Sequence, residues 1–389
     1  MELKEFNYNE HKNSKVVIYG TTVGGKIIFQ CLHRLGISVE FFCDRSKKYT
    51  EFCGVPVKEP FVLTQNKTYL VLIALTRSFG SAYQYMEQIG YKEVYCCKSL
   101  IQSKTIEEFE YAENEKELVA DFLVKYPFYA GGCTKEDIVF PSLEVFITER
   151  CTLRCRDCSH LIPRYQSPKD YEIEEIISNL KNVIKVAQKI CDLIILGGEP
   201  VLHKDLYKLL EWSYSEKSVE KITIVSNGTV MPNEKLLSTM KKTGTRLRLS
   251  NYGKYSTKLN EIIEMCDQRG ITCFVNDELW TDMGEIYHHS YTKEEQKEMF
   301  RDCPFVFGMI LLKGIIFRCP HVAHLNNLGV IDSYEHDSVD ISEITEKNLE
   351  DKKRELQEYF QIEYLEGCCY CNGIRNSIQG IEPAIQGVR

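Results

Sequence analysis

Three cysteines in C-x3-C-x2-C spacing, Cys151, Cys155 and Cys158, constrain this chain more than any other stretch. They begin just after Leu143-Glu144-Val145-Phe146-Ile147, whose alternation and β-branching read as a strand. The short gaps make the loop curl around a common centre, so three thiolates can converge on three irons of one cube. One iron is then left without a protein ligand, open to a small molecule that chelates through an amine and a carboxylate. A zinc knuckle is the alternative, because His160 could supply a fourth ligand.

The loop resembles the cluster loop of the radical S-adenosylmethionine (radical SAM) superfamily. The resemblance implies a 4Fe-4S cluster held by Cys151, Cys155 and Cys158. It also implies S-adenosylmethionine on the open iron, a 5′-deoxyadenosyl radical that takes hydrogen from substrate, and an electron donor such as flavodoxin or ferredoxin. One position departs from the family. The residue before the third cysteine is usually aromatic or apolar and packs on adenine, and here it is Asp157.

From Leu143 to Asn276 strands and helices alternate without a break, which predicts a parallel sheet joined by right-handed crossovers. The strands end in Gly197-Gly198-Glu199-Pro200, Ser226-Asn227-Gly228, Ser250-Asn251 and Asn276-Asp277, on the edge where parallel α/β folds gather ligands. Gly197 and Gly198 lack side chains, which lets backbone approach a ligand. The resemblance implies a partial (β/α)6 TIM-type barrel here. By it, Gly197, Gly198 and Glu199 meet the amino group of S-adenosylmethionine. Ser226, Asn227 and Ser250 reach its ribose or carboxylate, and main chain from Ile271 to Phe274 contacts adenine.

Further on, Cys303 and Cys319 flank an apolar stretch that turns at Lys313-Gly314, a hairpin that brings the two cysteines together. Gly367-Cys368-Cys369-Tyr370-Cys371 follows. The C-x10-G-x4-C pattern with a later cysteine pair resembles the twitch domain, a shorter relative of the SPASM domain. It implies an auxiliary 4Fe-4S cluster on Cys303, Cys319, Cys368 and Cys371 that serves as electron acceptor. Cys369 is the alternative to Cys368, and a structural zinc is the alternative metal. Trp280, Tyr287, His288, His289 and Tyr291 could line a substrate cavity, but such residues are more often packing or surface. His321 and His324 are likewise left outside the candidate site.

The N-terminal quarter reads strand, Gly20-Thr21-Thr22-Val23-Gly24-Gly25, helix, strand, Asp44, the order of a βαβ unit with an acidic strand end. Thr22 stands where a dinucleotide fingerprint needs its middle glycine, so a Rossmann-like domain without a nucleotide remains an equal reading. This region resembles the small Rossmann-like domains beside sugar-modifying and polysaccharide-assembly enzymes, which tilts the expected substrate toward a sugar or nucleotide-sugar. Residues 101–140 read as a helical linker, stopped at Pro127, with Tyr129 to Gly132 as a loop. The expected layout is α/β: a Rossmann-like sheet at 1–100, the linker at 101–140, the partial barrel at 141–300 and a hairpin-plus-helix cluster domain at 301–389.

Composition narrows the function. There are 48 basic and 56 acidic residues, interspersed, for a net charge of −8, which argues against a nucleic-acid partner. No apolar run is long enough to span a membrane and the start is charged, so a cytoplasmic protein is expected. Seventeen cysteines, an odd number, argue for thiolate ligands rather than a disulfide framework. The expected function is a radical SAM enzyme that oxidises or rearranges a sugar or nucleotide-sugar. Modification of a peptide side chain is one alternative, and a zinc-stapled nucleotide-binding or regulatory protein is another.

Overall fold

A computed structural model describes residues 4–45, 49–76, 79–131, 138–277, 280–301, 303, 305, 308–332, 336–373 and 380–387. The chain divides into two units, Met1–Thr134 and Lys135–Arg389.

In the first unit seven strands form one sheet among the described residues: β1 (Lys4–Glu5), β2 (Val16–Tyr19), β3 (Val39–Cys43), β4 (Glu51–Phe52), β5 (Val55–Lys58), β6 (Leu70–Ile73) and β7 (Val94–Cys96). Their order is β1-β7-β6-β2-β3-β5-β4, parallel except for the β4–β5 pair. The glycine loop after β2 is explained by packing. Thr22 caps the helix Val23–Arg34, its hydroxyl accepting the Gly25 N–H at 3.4 Å. A Cβ on Gly25 would lie 2.1 Å from the Gly20 carbonyl, and one on Gly24 2.6 Å from the Ala74 carbonyl. Asp44, at the end of β3, accepts the backbone N–H and the hydroxyl of Thr21, both at 2.7 Å, and so ties down the glycine loop that follows β2.

The stretch expected as a linker belongs to this unit. Phe109, Val119, Phe122, Tyr126 and Ala130 are buried in the same core as β2 and β6. Nor does Pro127 stop the helix, which runs Lys116–Gly131 with the proline inside. Proline there costs about 3 kcal/mol. Phe122, Tyr126 and Ala130 fall one turn apart on the buried face, and the Tyr126 hydroxyl accepts the Cys97 N–H at 2.8 Å, which together offset that cost. Gly132, the end of the expected loop, lies outside the described residues.

The second unit has a small parallel pair, β8 (Val139–Phe140) with β10 (Lys189–Ile190), and a sheet built from β9 (Leu143–Phe146), β11 (Leu193–Leu196), β12 (Ile222–Ser226), β13 (Arg246–Ser250), β14 (Cys273–Asn276), β15 (Ile310–Leu312), β16 (Ile315–Phe317) and β17 (Ser338–Asp340). The order is β14-β13-β12-β11-β9-β15-β16-β17. From β14 to β9 every neighbour is parallel, β15 lies parallel to β9 on its other side, and β15, β16 and β17 are antiparallel. The hairpin turns at Lys313 and Gly314, both with positive φ (51° and 78°), as a two-residue primed turn requires. Val306 and Phe307 lie outside the described residues, and the hairpin begins at Ile310. Since β15 extends the same sheet as β9, the hairpin is part of the main sheet.

Helices Ile173–Val186, Leu206–Ser215, Glu234–Thr243 and Leu259–Arg269 connect the parallel strands. The third and fourth end at Gly244 and Gly270, each in the left-handed region (φ 64° and 61°). The first stops at Val186, and the chain beyond it turns extended, with Lys189–Ile190 pairing with Val139–Phe140. At the strand starts, Arg246 donates to Asp192 at 2.8 Å and to Thr223 at 2.8 Å, and Thr223 donates to Asp192 at 2.9 Å. The opposite ends, all on one edge, carry the polar residues.

Candidate active site

The cysteine loop leaves β9 and curls over that edge. Cys151, Cys155 and Cys158 line one cavity of about 200 Å³ together with Gly197, Gly198, Ser226, Asn227 and Ser250 from the ends of β11, β12 and β13. Leu153, His160, Arg248, Tyr252 and Trp280 complete much of its wall.

Each thiol is buried or half-buried, and burial is the main reason its proton is held tightly, Cys151 pushed up to about 11 and Cys155 to about 12. Nearby N–H groups pull the other way. Cys151 Sγ accepts from the Leu153 N–H at 3.4 Å and from Asn227 Nδ2 at 3.5 Å. Cys155 Sγ accepts from Gln386 Nε2 at 3.3 Å. Burial also raises Cys158, against the backbone N–H groups of Ile162, His160 and Leu161. Metal coordination takes such a proton away outright. Among the described residues no three His, Cys, Asp or Glu side chains converge closely enough for a single metal ion.

The glycine pair packs against the loop as well as facing the cavity. A Cβ on Gly197 would lie 2.7 Å from the Thr148 carbonyl, and one on Gly198 2.4 Å from that of Arg150. The Gly198 and Glu199 N–H groups donate to those same two carbonyls, each at 2.8 Å. Glu199 does not line the cavity. It is fully buried, and its carboxylate accepts from the Val201 N–H (3.1 Å), the Asn227 N–H (2.8 Å) and the Ser226 hydroxyl (3.1 Å). Burial pushes Glu199 up to about 7 despite those donors. Its geometry is that of a bracket between the ends of β11 and β12 rather than a ligand contact. Asp157 is buried with positive φ (63°) and pairs with Arg156 at 3.1 Å.

His160, the possible fourth zinc ligand, packs on Phe146 and His324 with ring centroids 5.4 and 5.1 Å away. Burial pushes it down to about 4, leaving a neutral ring. Trp280 does face this cavity, edge-on to Tyr252 at 5.3 Å, whereas Tyr287 is exposed. His288, His289 and Tyr291 do not line it. The main chain of Ile271 to Phe274 is also absent from its wall.

A second cavity, of about 30 Å³, is lined by Cys303, Cys319, Cys368 and Cys371. Cys369 is turned away and donates to the Glu366 carbonyl at 2.9 Å. The turn that presents Cys368 and Cys371 is held by Asp337, whose carboxylate accepts the N–H groups of Glu366 (2.7 Å) and Gly367 (2.6 Å). Burial raises Cys319, Cys368 and Cys371, and each neighbouring thiol adds to the cost of charging Cys319. Arg318 and His321 line the same cavity. Burial lowers Arg318 to about 10 and His321 to about 4. The sequence alone does not mark Arg318, and it sets His321 aside as packing or surface. Their signal is adjacency to Cys319, which placed in a hairpin brings its neighbours along.

A hydrogen-bonded network of side chains packs beside His160. The Tyr165 hydroxyl is 2.7 Å from His324 Nδ1, and Asn327 Nδ2 donates to Tyr165 (2.7 Å) and Tyr171 (3.0 Å). Tyr171 in turn donates to Glu149 at 2.6 Å.

Residues 145–250 match the model of the radical SAM superfamily. The match implies a 4Fe-4S cluster and S-adenosylmethionine, and the thiols, the donors aimed at them and the open cavity are chemistry that suits both. The chain is 31% identical over 96 residues to a "GTP 3',8-cyclase" of Stenotrophomonas maltophilia, 24% of this chain and 28% of that protein. It is 30% identical over 96 residues to an "S-adenosylmethionine-dependent nucleotide dehydratase" of Selenomonas ruminantium, 24% of this chain and 32% of that protein. The chain thus spans about a third or less of the length of these relatives. Among solved structures, "BtrN in complex with AdoMet and 2-DOIA" aligns over 64% of this chain and 98% of that one, at 15% identity and a TM-score of 0.39. Neither of the two relatives carries a sugar in its name. Among the described residues no helix is long and apolar enough to cross a membrane.

Proposed function

We propose that this chain, which carries a radical SAM domain at residues 145–250, is an enzyme that removes hydrogen from a small nucleotide-type substrate, nucleotide-sugars included. The observation that carries the reading is the meeting of Cys151, Cys155 and Cys158 with Gly197, Gly198, Ser226, Asn227 and Ser250 around one cavity. In this reading Cys151, Cys155 and Cys158 would hold the 4Fe-4S cluster, and Gly197, Gly198, Ser226, Asn227 and Ser250 would hold S-adenosylmethionine. When bound, the two supply a carbon radical strong enough to take hydrogen from substrate.

The chain's own residues bind, orient and exclude water. Asn227 and Leu153 steady Cys151 from the side of β12 and the loop. Tyr252 and Trp280 offer an aromatic wall on which a base can stack, and Arg248, half-buried in the same wall, suits an anionic group such as a phosphate. The two relatives, both nucleotide enzymes by name, support the substrate class over the matched quarter of the chain. Strand order β14 to β9 supports a partial barrel for this unit, and the mainly parallel sheet of the first unit supports a Rossmann-like fold there. Cys303, Cys319, Cys368 and Cys371 are proposed to hold a second metal centre, which as an iron–sulfur cluster would supply an electron-accepting group.

The test is a panel of nucleoside triphosphates, nucleotide-sugars, free sugars and short peptides given to the reconstituted protein with S-adenosylmethionine and a strong reductant. Deoxyadenosine formation stimulated by phosphorylated nucleosides alone is expected. Stimulation by peptides or free sugars alone overturns the substrate class. Zinc in place of iron at Cys151, Cys155 and Cys158 overturns the enzyme reading.

A further inference from the structure

Residues 381–387 return to the first thiol loop and pair with it. Arg156 donates its N–H to the Ile385 carbonyl at 2.7 Å, and Gly387 donates to the Arg154 carbonyl at 2.9 Å. Cys155 and Gln386 form the antiparallel bridge between them. Gln386 then uses both ends of its amide. Its Oε1 accepts the Arg154 N–H at 2.8 Å, and its Nε2 donates to Cys155 Sγ at 3.3 Å and to the Ala384 carbonyl at 2.6 Å. At the start of this strap Ile381 and Trp280 exchange both backbone hydrogen bonds, at 3.0 and 2.8 Å. One short segment therefore holds a thiol of the loop and the aromatic wall of the same cavity.

We propose that Gln386 is a positioning residue for the first metal centre, fixing the Cys155 loop through the strap and donating an N–H bond to the Cys155 sulfur. The metal part rests on the reading of Cys151, Cys155 and Cys158 as cluster ligands. The fixing of the loop does not. A sulfur that accepts an N–H bond carries added electron density at lower cost, so the bond stabilises the reduced cluster and raises its reduction potential. Because Oε1 and Nε2 engage different partners, two substitutions separate the two roles. Gln386→Leu removes both. Gln386→Glu keeps an acceptor for the Arg154 N–H and removes the donor to sulfur.

The experiment pairs a redox titration of the reconstituted holoprotein, followed by electron paramagnetic resonance, with hydrogen exchange of the loop amides in the metal-free protein. A more negative midpoint potential is expected in both variants. The Arg154 amide should exchange about tenfold faster in Gln386→Leu, the equivalent of one lost hydrogen bond, and little faster in Gln386→Glu. Wild-type potentials in both variants overturn the sulfur bond. Unchanged exchange in Gln386→Leu overturns the strap. A protein that takes up no iron but shows the faster exchange overturns the cluster reading while upholding Gln386 as the residue that positions the loop.

Discussion

A Cβ built on Gly198 would stand 2.4 Å from the Arg150 carbonyl oxygen, so the end of β11 and the cysteine loop are in backbone contact with no room for a side chain. Gly198→Ala should push the loop away from β11. Overpacking of this kind costs about 1–3 kcal/mol, and here the strain falls on the residue beside Cys151. The variant should melt lower and retain less iron after reconstitution than wild type. Full iron loading with unchanged melting contradicts the close approach.

Glu199 gives a pH dependence opposite to that of an ordinary surface carboxylate. Its value is about 4.5 unfolded and about 7 folded, raised by burial, so between these the folded chain holds the proton more tightly. Its contribution is fully present below about pH 4.5 and is lost as pH rises through 7. Relative to Glu199→Gln, which does not titrate, wild type should lose roughly 3 kcal/mol of stability across that window. Parallel stability–pH curves for the two proteins argue against the buried carboxylate.

Asp192→Ala leaves Arg246 buried without the carboxylate it meets at 2.8 Å. Removing one partner of a buried ion pair costs about 3–5 kcal/mol. Denaturant midpoints should show that loss, and an Asp192→Ala, Arg246→Met double variant should recover part of it. No recovery in the double variant would assign the loss to packing alone.

At the second cavity, Cys368→Ser should release the second metal centre, while Cys369→Ser should leave it in place, because the Cys369 thiol points to the Glu366 carbonyl. Metal analysis of the two variants distinguishes them, and loss of metal in Cys369→Ser but not Cys368→Ser reverses the assignment.

Much of this arrangement was legible in the sequence because it is local. The C-x3-C-x2-C spacing, the polar strand ends after β11, β12 and β13, and the Lys313-Gly314 turn are set by neighbours along the chain. What was not legible depends on distant partners. Glu199 reads as a ligand contact from its motif, yet the donors that turn it inward come partly from Ser226 and Asn227. Pro127 reads as a stop, and only the core around Phe122 and Tyr126 shows why the helix passes it. The strap at 381–387 pairs through single residues, Cys155 with Gln386 and Trp280 with Ile381, and a one-residue bridge leaves no periodicity to read. Nor does hairpin spacing tell that β15 will lie against β9.

The measurement that tests the central claim most directly is deoxyadenosine formation from S-adenosylmethionine by anaerobically reconstituted protein, beside Cys155→Ala and with iron counted in both. Wild type should cleave the cofactor, and the variant should lose that activity together with about four irons per chain, those of one cube. Cleavage undiminished in Cys155→Ala, or none by fully iron-loaded wild type, contradicts the account.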